Sequence, residues 1–172
     1  ITLFLVGCES EPKNNSRAVY LLVDTSGTYT KELDKAQAIM NYLLATLDSG
    51  DSIAIAKIDS GSYTEKDIIA KSTFDSKPST TNAQKRAFKE RVDSFVASTT
   101  KGSANTDISG GVLQATEYLT ETGAGEKYIM IFSDLEEDLP KGWIRDFVIP
   151  MEGIKVIALN VTKLRSDNID PR

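Results

Sequence analysis

The chain has 172 residues, 40% of them hydrophobic and 26% charged, enough for one domain with a real core and too short for two comfortable ones. With 20 Lys and Arg against 25 Asp and Glu the net charge is −5, the opposite of the basic footprint a nucleic-acid binder carries. There is no histidine and only one cysteine, which excludes Ser–His and Cys–His catalytic pairs, histidine metal ligands, an internal disulfide and a thiolate zinc site, and leaves chemistry to carboxylates, hydroxyls, amines and a hard metal ion.

The first elements of the chain read as processing signals rather than fold. Residues 1–7 are apolar and end in small residues, as the tail of a secretory signal peptide does. Leu5-Val6-Gly7-Cys8 resembles the bacterial lipobox, which implies that Cys8 is the lipid-modified first residue of the mature protein. Residues 8–16 are polar and without period, so they read as a flexible tether. Acyl chains on Cys8 would hold the protein at the membrane. The expected location is therefore the periplasmic or cell-surface side of a bacterial envelope. The competing reading of Cys8 is a buried thiol on an ordinary N-terminal strand.

A single domain is expected over 17–172. Ala18 to Val23 is an unbroken apolar run, the pattern of a strand buried on both faces. It ends at Asp24-Thr25-Ser26-Gly27-Thr28, which sets a carboxylate and two hydroxyls at alternate positions. Such oxygens suit Mg²⁺, which takes six oxygen ligands, and they suit a helix-capping turn equally well. Leu33, Ala36, Met40, Leu43, Leu44 and Leu47 recur at helical spacing and predict the first helix. Ser52 to Ile58 predicts a second core strand, and Ile68 to Phe74 an edge strand beside it. Thr81 with Gln84 matches a capping box, followed by Phe88, Val92, Phe95 and Val96 on one helical face. A third helix is expected from Asp107 to Gly123, with Asp107 a solvent-facing acid of its first turn and Thr106 its N-cap. Tyr128 to Phe132 and Val156 to Val161 predict the remaining strands. Lys163 to Arg172 is polar and lacks a closing helix, so the domain reads as truncated or as ending minimally.

Strands alternating with helices predict an α/β fold: a doubly wound, mostly parallel sheet with helices on both faces and one antiparallel edge strand. In open sheets of this class ligands bind beyond the carboxyl ends of the strands, where strand order reverses. Asp24 and Asp134 both sit at such ends.

Asp24, Ser26 and Thr28, then Thr106, then Asp134, resemble in order and spacing the metal-ion-dependent adhesion site of the von Willebrand factor A domain. The family pattern is Asp-x-Ser-x-Ser, a Thr, then an Asp, and Thr28 departs from it by replacing Ser. The resemblance covers roughly residues 17 to 162. It implies a Rossmann-like domain without enzymatic activity that holds Mg²⁺, or Mn²⁺ or Ca²⁺, through those five residues. A carboxylate from another protein would complete the shell, in adhesion or in assembly of an envelope complex. The resemblance implies no nucleic acid and no small-molecule substrate. Tyr29, Glu136 and Trp143 are candidates for the partner-binding rim. Glu136-Glu137-Asp138 otherwise reads as a solvated acidic loop, and Trp143 as a packed residue at a helix start.

The alternative is an enzyme. Asp24-Thr25-Ser26-Gly27-Thr28 also resembles the first motif of haloacid dehalogenase-like phosphatases, with Asp24 as nucleophile and Asp134 and Asp138 holding Mg²⁺. That family places a second Asp two residues after the nucleophile as acid/base, and Ser26 stands there instead, which cannot do that work.

Overall fold

The structure is a computed structural model that describes residues 14–26 and 32–161. The lipobox with Cys8, and Thr28 and Tyr29 of the first motif, lie outside the described residues. Five strands form one sheet: β1 (Arg17–Asp24), β2 (Ser52–Ile58), β3 (Ile68–Thr73), β4 (Glu126–Phe132) and β5 (Ile154–Leu159), in the order β3-β2-β1-β4-β5. All neighbours pair in parallel except β2 and β3, which pair antiparallel as the edge-strand expectation requires. Among the described residues three α-helices pack on the sheet: α1 (Leu33–Thr46), α2 (Pro78–Ser98) and α3 (Ile108–Glu121).

Alternation along β1 explains the layering. Val19, Leu21 and Val23 point to one face and pack with Leu33, Met40 and Leu44 of α1 and Phe88 and Val92 of α2. Ala18, Tyr20 and Leu22 point to the other and pack with Val112, Ala115 and Leu119 of α3. Helices therefore cover both faces, and the doubly wound, mostly parallel α/β fold expected from the sequence is present. Gly111 lets α3 approach closely, since a Cβ there would lie 3.1 Å from Leu22 Cδ2.

Three boundaries differ from the sequence reading. α2 begins at Pro78, three residues before the Thr81–Gln84 box, because proline suits the first helical turn, where its missing N–H has no partner to lose. Thr81 and Gln84 reach back instead to the approaching chain: the Thr81 hydroxyl donates to the Asp75 carbonyl at 2.6 Å, and the Gln84 carboxamide accepts from the Asp75 N–H at 2.9 Å. β5 starts two residues earlier than expected and ends at Leu159, because the parallel register with β4 closes at Phe132↔Leu159 and Asn160 then turns away with φ 56°. The β4–β5 connection contains no helix over residues 133–153. Pro150 opposes one, both by lacking an N–H and by pushing Ile149 out of the helical region. Of β5, Ile154 and Leu159 pack against the two cores, while Val156 and Ile157 are exposed.

Candidate functional site

β1 has β2 on one side and β4 on the other, and the chain winds away from β1 in opposite directions. The gap between the carboxyl ends of β1 and β4 is therefore the place where strand order reverses. The parallel register ends at Val23↔Phe132, which brings Asp24 and Ser133 side by side. The Ser133 hydroxyl donates to Asp24 Oδ2 at 2.8 Å, and the Ser26 N–H donates to Asp24 Oδ1 at 2.8 Å. Asp24 is 1% exposed and Ser133 fully buried.

The α2–α3 loop closes on the same edge. The Ser103 N–H donates to the Thr25 carbonyl at 2.8 Å, and Ser26 and Ser103 form a short parallel bridge. Three residues on, Thr106 forms a two-hydrogen-bond bridge with Asp138: the Thr106 N–H donates to the Asp138 carbonyl at 2.7 Å, and the Asp138 N–H returns to Thr106 at 3.0 Å. Asp134 lies between Ser133 and that bridge, half-buried, its Oδ1 accepting from the Glu136 N–H at 3.0 Å. Asp24, Ser26, Thr106 and Asp134 thus stand on three loops cross-linked at one edge of the sheet. A cleft of about 440 Å³ opens beside them, walled by Thr25, Asp59, Lys101 and Ser103. A second cleft of about 730 Å³, between Ile69 and Phe95 and bordered by Lys66 and Arg91, adjoins the first and shares Lys57, Phe95 and Ser98 with it.

Two placements in the neighbourhood differ from the expectation, those of Asp107 and Trp143. Asp107 is not solvent-facing: it is 0% exposed and is itself the N-cap of α3, its Oδ1 accepting from the Gly110 N–H at 2.9 Å. Thr106 therefore precedes the cap. Burial of Asp107 is tolerated because Arg145 pairs with it, donating from Nε to Oδ1 at 3.1 Å and from a second nitrogen to Oδ2. In the acidic run 136–138, Glu137 and Asp138 are exposed, as the solvated reading expects, and Glu137 has a further role. Glu137 Oε1 accepts from the Ser109 N–H at 2.7 Å, satisfying a free donor of the first turn of α3. Glu136 is half-buried next to it. Trp143 is 48% exposed and sits on the irregular connection, not at a helix start, with the Arg145 guanidinium 5.2 Å from its ring centroid. The sequence reading missed Arg145 altogether. No motif surrounds it, and its role exists only because the fold brings it to a residue 38 positions away.

The electrostatics single out Asp24. Four aspartates are buried among the described residues: Asp24, Asp51, Asp67 and Asp107. Arg17 pairs with Asp51 at 2.7 Å, Lys57 with Asp67 at 3.4 Å, and Arg145 with Asp107. Among the described residues no Lys or Arg pairs with Asp24 or with Asp134. A buried carboxylate without a counter-charge is costly, and two hydrogen bonds offset only part of that cost. Among the described residues no three His, Cys, Asp or Glu side chains gather as a metal-binding group, so a cation at this edge would need the hydroxyls of Ser26 and Thr106 besides its two carboxylates. That donor set is all oxygen and fits a hard divalent ion.

No protein-family model matches the chain, and no curated protein matches it either. Among solved structures, the chain is similar to an aerotolerance-related membrane protein from Bacteroides fragilis NCTC 9343 crystallised with multiple mutations to serines, at a TM-score of 0.51 and 14% identity. The match covers 84% of this chain and 66% of that one. At that identity the likeness concerns the fold, a mixed α/β domain with a mostly parallel sheet. Among the described residues no helix is long and apolar enough to cross a membrane.

Proposed function

We propose that the carboxyl edge of the sheet is a divalent-ion site, of the von Willebrand factor A type, through which this domain binds another protein. Asp24, Ser26, Thr106 and Asp134 would hold Mg²⁺, with Thr28, outside the described residues, as a further hydroxyl. One observation carries the reading: of the four described buried aspartates, Asp24 alone has no basic partner among the described residues. A bound cation would supply the missing positive charge. Neutral hydroxyls coordinate the ion without cancelling its charge, so it would keep electrophilic character toward a carboxylate of the partner. An acidic chain could in this way bind an acidic group. The domain would bind rather than catalyse, because Ser26 stands where a phosphatase would need its acid/base. The lipid tether at Cys8, compatible with the membrane origin of the solved neighbour, belongs to the same proposal.

The test is a Mg²⁺ titration followed by calorimetry and thermal unfolding. Binding that raises the melting temperature and is lost in Asp24→Ala is expected, with no turnover of an aryl phosphate by the wild type. Stability unmoved by millimolar Mg²⁺ or Mn²⁺ overturns the ion site, and Mg²⁺-dependent turnover lost in Asp24→Asn overturns the binding role. For the tether, metabolic labelling with an alkyne fatty acid is expected to mark the wild type and not Cys8→Ser, and equal labelling overturns it.

A further inference from the structure

We propose that Arg145 is a positioning residue for the ion site, fixing the N-terminus of α3 and with it the Thr106 hydroxyl relative to the end of β4. The proposal rests on the ion-site reading above. Arg145 meets both oxygens of Asp107 in a planar two-point fork, which fixes orientation as well as distance. Asp107 in turn holds two more backbone groups, the Gly110 N–H at 2.9 Å and the Ser62 N–H at 3.0 Å, while its own N–H donates to the Asp59 carbonyl at 3.1 Å. One carboxylate therefore joins α3 to the β2–β3 loop and, through Arg145, to the β4–β5 connection. Behind the guanidinium lies the Trp143 ring, which itself abuts Gly61, where a Cβ would come within 3.0 Å of the indole.

A helix N-cap alone does not require this. Ser or Asn caps as well as Asp does and brings no charge to bury. A buried aspartate with its arginine adds desolvation cost for no gain in capping. What the pair adds is fixed geometry, at the residue directly after Thr106. Thr106 is held on its other side by the Asp138 bridge, and Asp138 and Arg145 both lie on the connection that carries Asp134. Thr106 and Asp134, which start from different elements, are thereby locked into one unit. Outer residues that orient ligands in this way typically change metal affinity by about 10–100-fold when removed.

The experiment compares wild type, Arg145→Lys, and the double variant Arg145→Met with Asp107→Asn, which keeps the acceptor for the Gly110 N–H and leaves no buried charge unpaired, at the loss of the Ser62 N–H partner. Two quantities are read: the melting temperature in EDTA, and Mn²⁺ affinity by calorimetry with water relaxation as a report on the coordination sphere. The double variant is expected to fold and to melt somewhat below wild type without metal, through the lost Ser62 hydrogen bond, and to bind Mn²⁺ roughly tenfold or more weakly with altered relaxivity. Arg145→Lys, which keeps the charge and loses the fork, is expected to fall between. If the double variant folds and binds Mn²⁺ as wild type does, the proposal is overturned. Should the double variant not fold, unchanged affinity in Arg145→Lys overturns it equally. A wild type that binds no Mn²⁺ removes the ion site itself, an outcome distinct from a wild type that binds and variants that match it.

Discussion

Ser133 donates its hydroxyl to Asp24 Oδ2 across 2.8 Å, tying the ends of two parallel strands at the point where the sheet reverses its order. The same oxygen of Ser133 accepts the Leu135 N–H at 3.1 Å, and Leu135 has φ 67°, in the left-handed region that a leucine seldom adopts. Ser133 thus steadies the carboxylate and the bend that presents Asp134. Ser133→Ala removes a donor to a buried charge and the acceptor for Leu135. It is expected to cost about 2 kcal/mol in urea unfolding and to weaken Mg²⁺ binding. A loss under about 0.5 kcal/mol, the level of an ordinary surface change, would deny Ser133 this role.

Asp24→Asn separates a ligand from a structural acid. Without metal, Asp24 carries a buried charge that no described cation offsets. Asparagine keeps the acceptor for the Ser26 N–H and removes the charge. The variant is expected to be more stable than wild type in EDTA, by roughly 1–3 kcal/mol, while losing all stabilisation by Mg²⁺. Asp51→Asn, which leaves Arg17 only the exposed Asp48 carboxylate at 3.4 Å, is expected to lose stability in both conditions. If Asp24→Asn and Asp51→Asn lose stability alike in EDTA, Asp24 is not short of a counter-charge and the ion loses its main support.

Gly110→Ala probes the cap of α3. A Cβ at Gly110 would fall 2.6 Å from Asp107 Oδ2, and Arg145 leaves that carboxylate no freedom to move aside. The expected result is destabilisation of about 1–3 kcal/mol, where alanine in an open helical position would instead stabilise. A neutral or stabilising Gly110→Ala would show that the Asp107–Arg145 pair yields easily.

The sheet was legible because its strands are simple signals: β1 and β2 are continuous apolar runs, and β3 is set off by the turn residues Ser60 to Ser62. α1 and α3 announce themselves by period. The start of α2 misled because Thr81 and Gln84 are a real capping pair used on the preceding turn. The common edge of Asp24, Ser26, Thr106 and Asp134 could be read because side chains at strand ends and helix starts keep their sequence order in space, while their role toward an ion belongs to the proposal. Arg145 could not. Its residue type says nothing of a partner, and a surface arginine is the ordinary expectation. Asp107 reads as a first-turn acid for the same reason, since only the fold reveals that the β2–β3 loop and Arg145 enclose it.

Asp59 gives a pH signature. Burial pushes its carboxyl up, but this is outweighed by hydrogen bonds from Lys57, from the Ser103 hydroxyl at 2.5 Å and from the Ser60 N–H at 2.6 Å, which together hold it down at about 2. Because the folded-state value lies below the ordinary value of 3.8, Asp59 contributes stability that is complete above about pH 4 and is lost as pH falls toward 2. Lys57, the partner, shows the converse. Burial lowers its ammonium, but the hydrogen bond and charge of Asp59 outweigh that and raise it above 10.5, so its contribution holds below that pH and fades as the folded value is passed. Asp59→Asn is therefore expected to flatten the fall in melting temperature between pH 4 and 2 while leaving Tyr20 and the sheet core unaffected, and it should also weaken stability at neutral pH by loosening Ser103 from the β1 loop. Melting curves of wild type and variant that fall in parallel through this range would mean that the Lys57–Asp59–Ser103 link does not hold in solution.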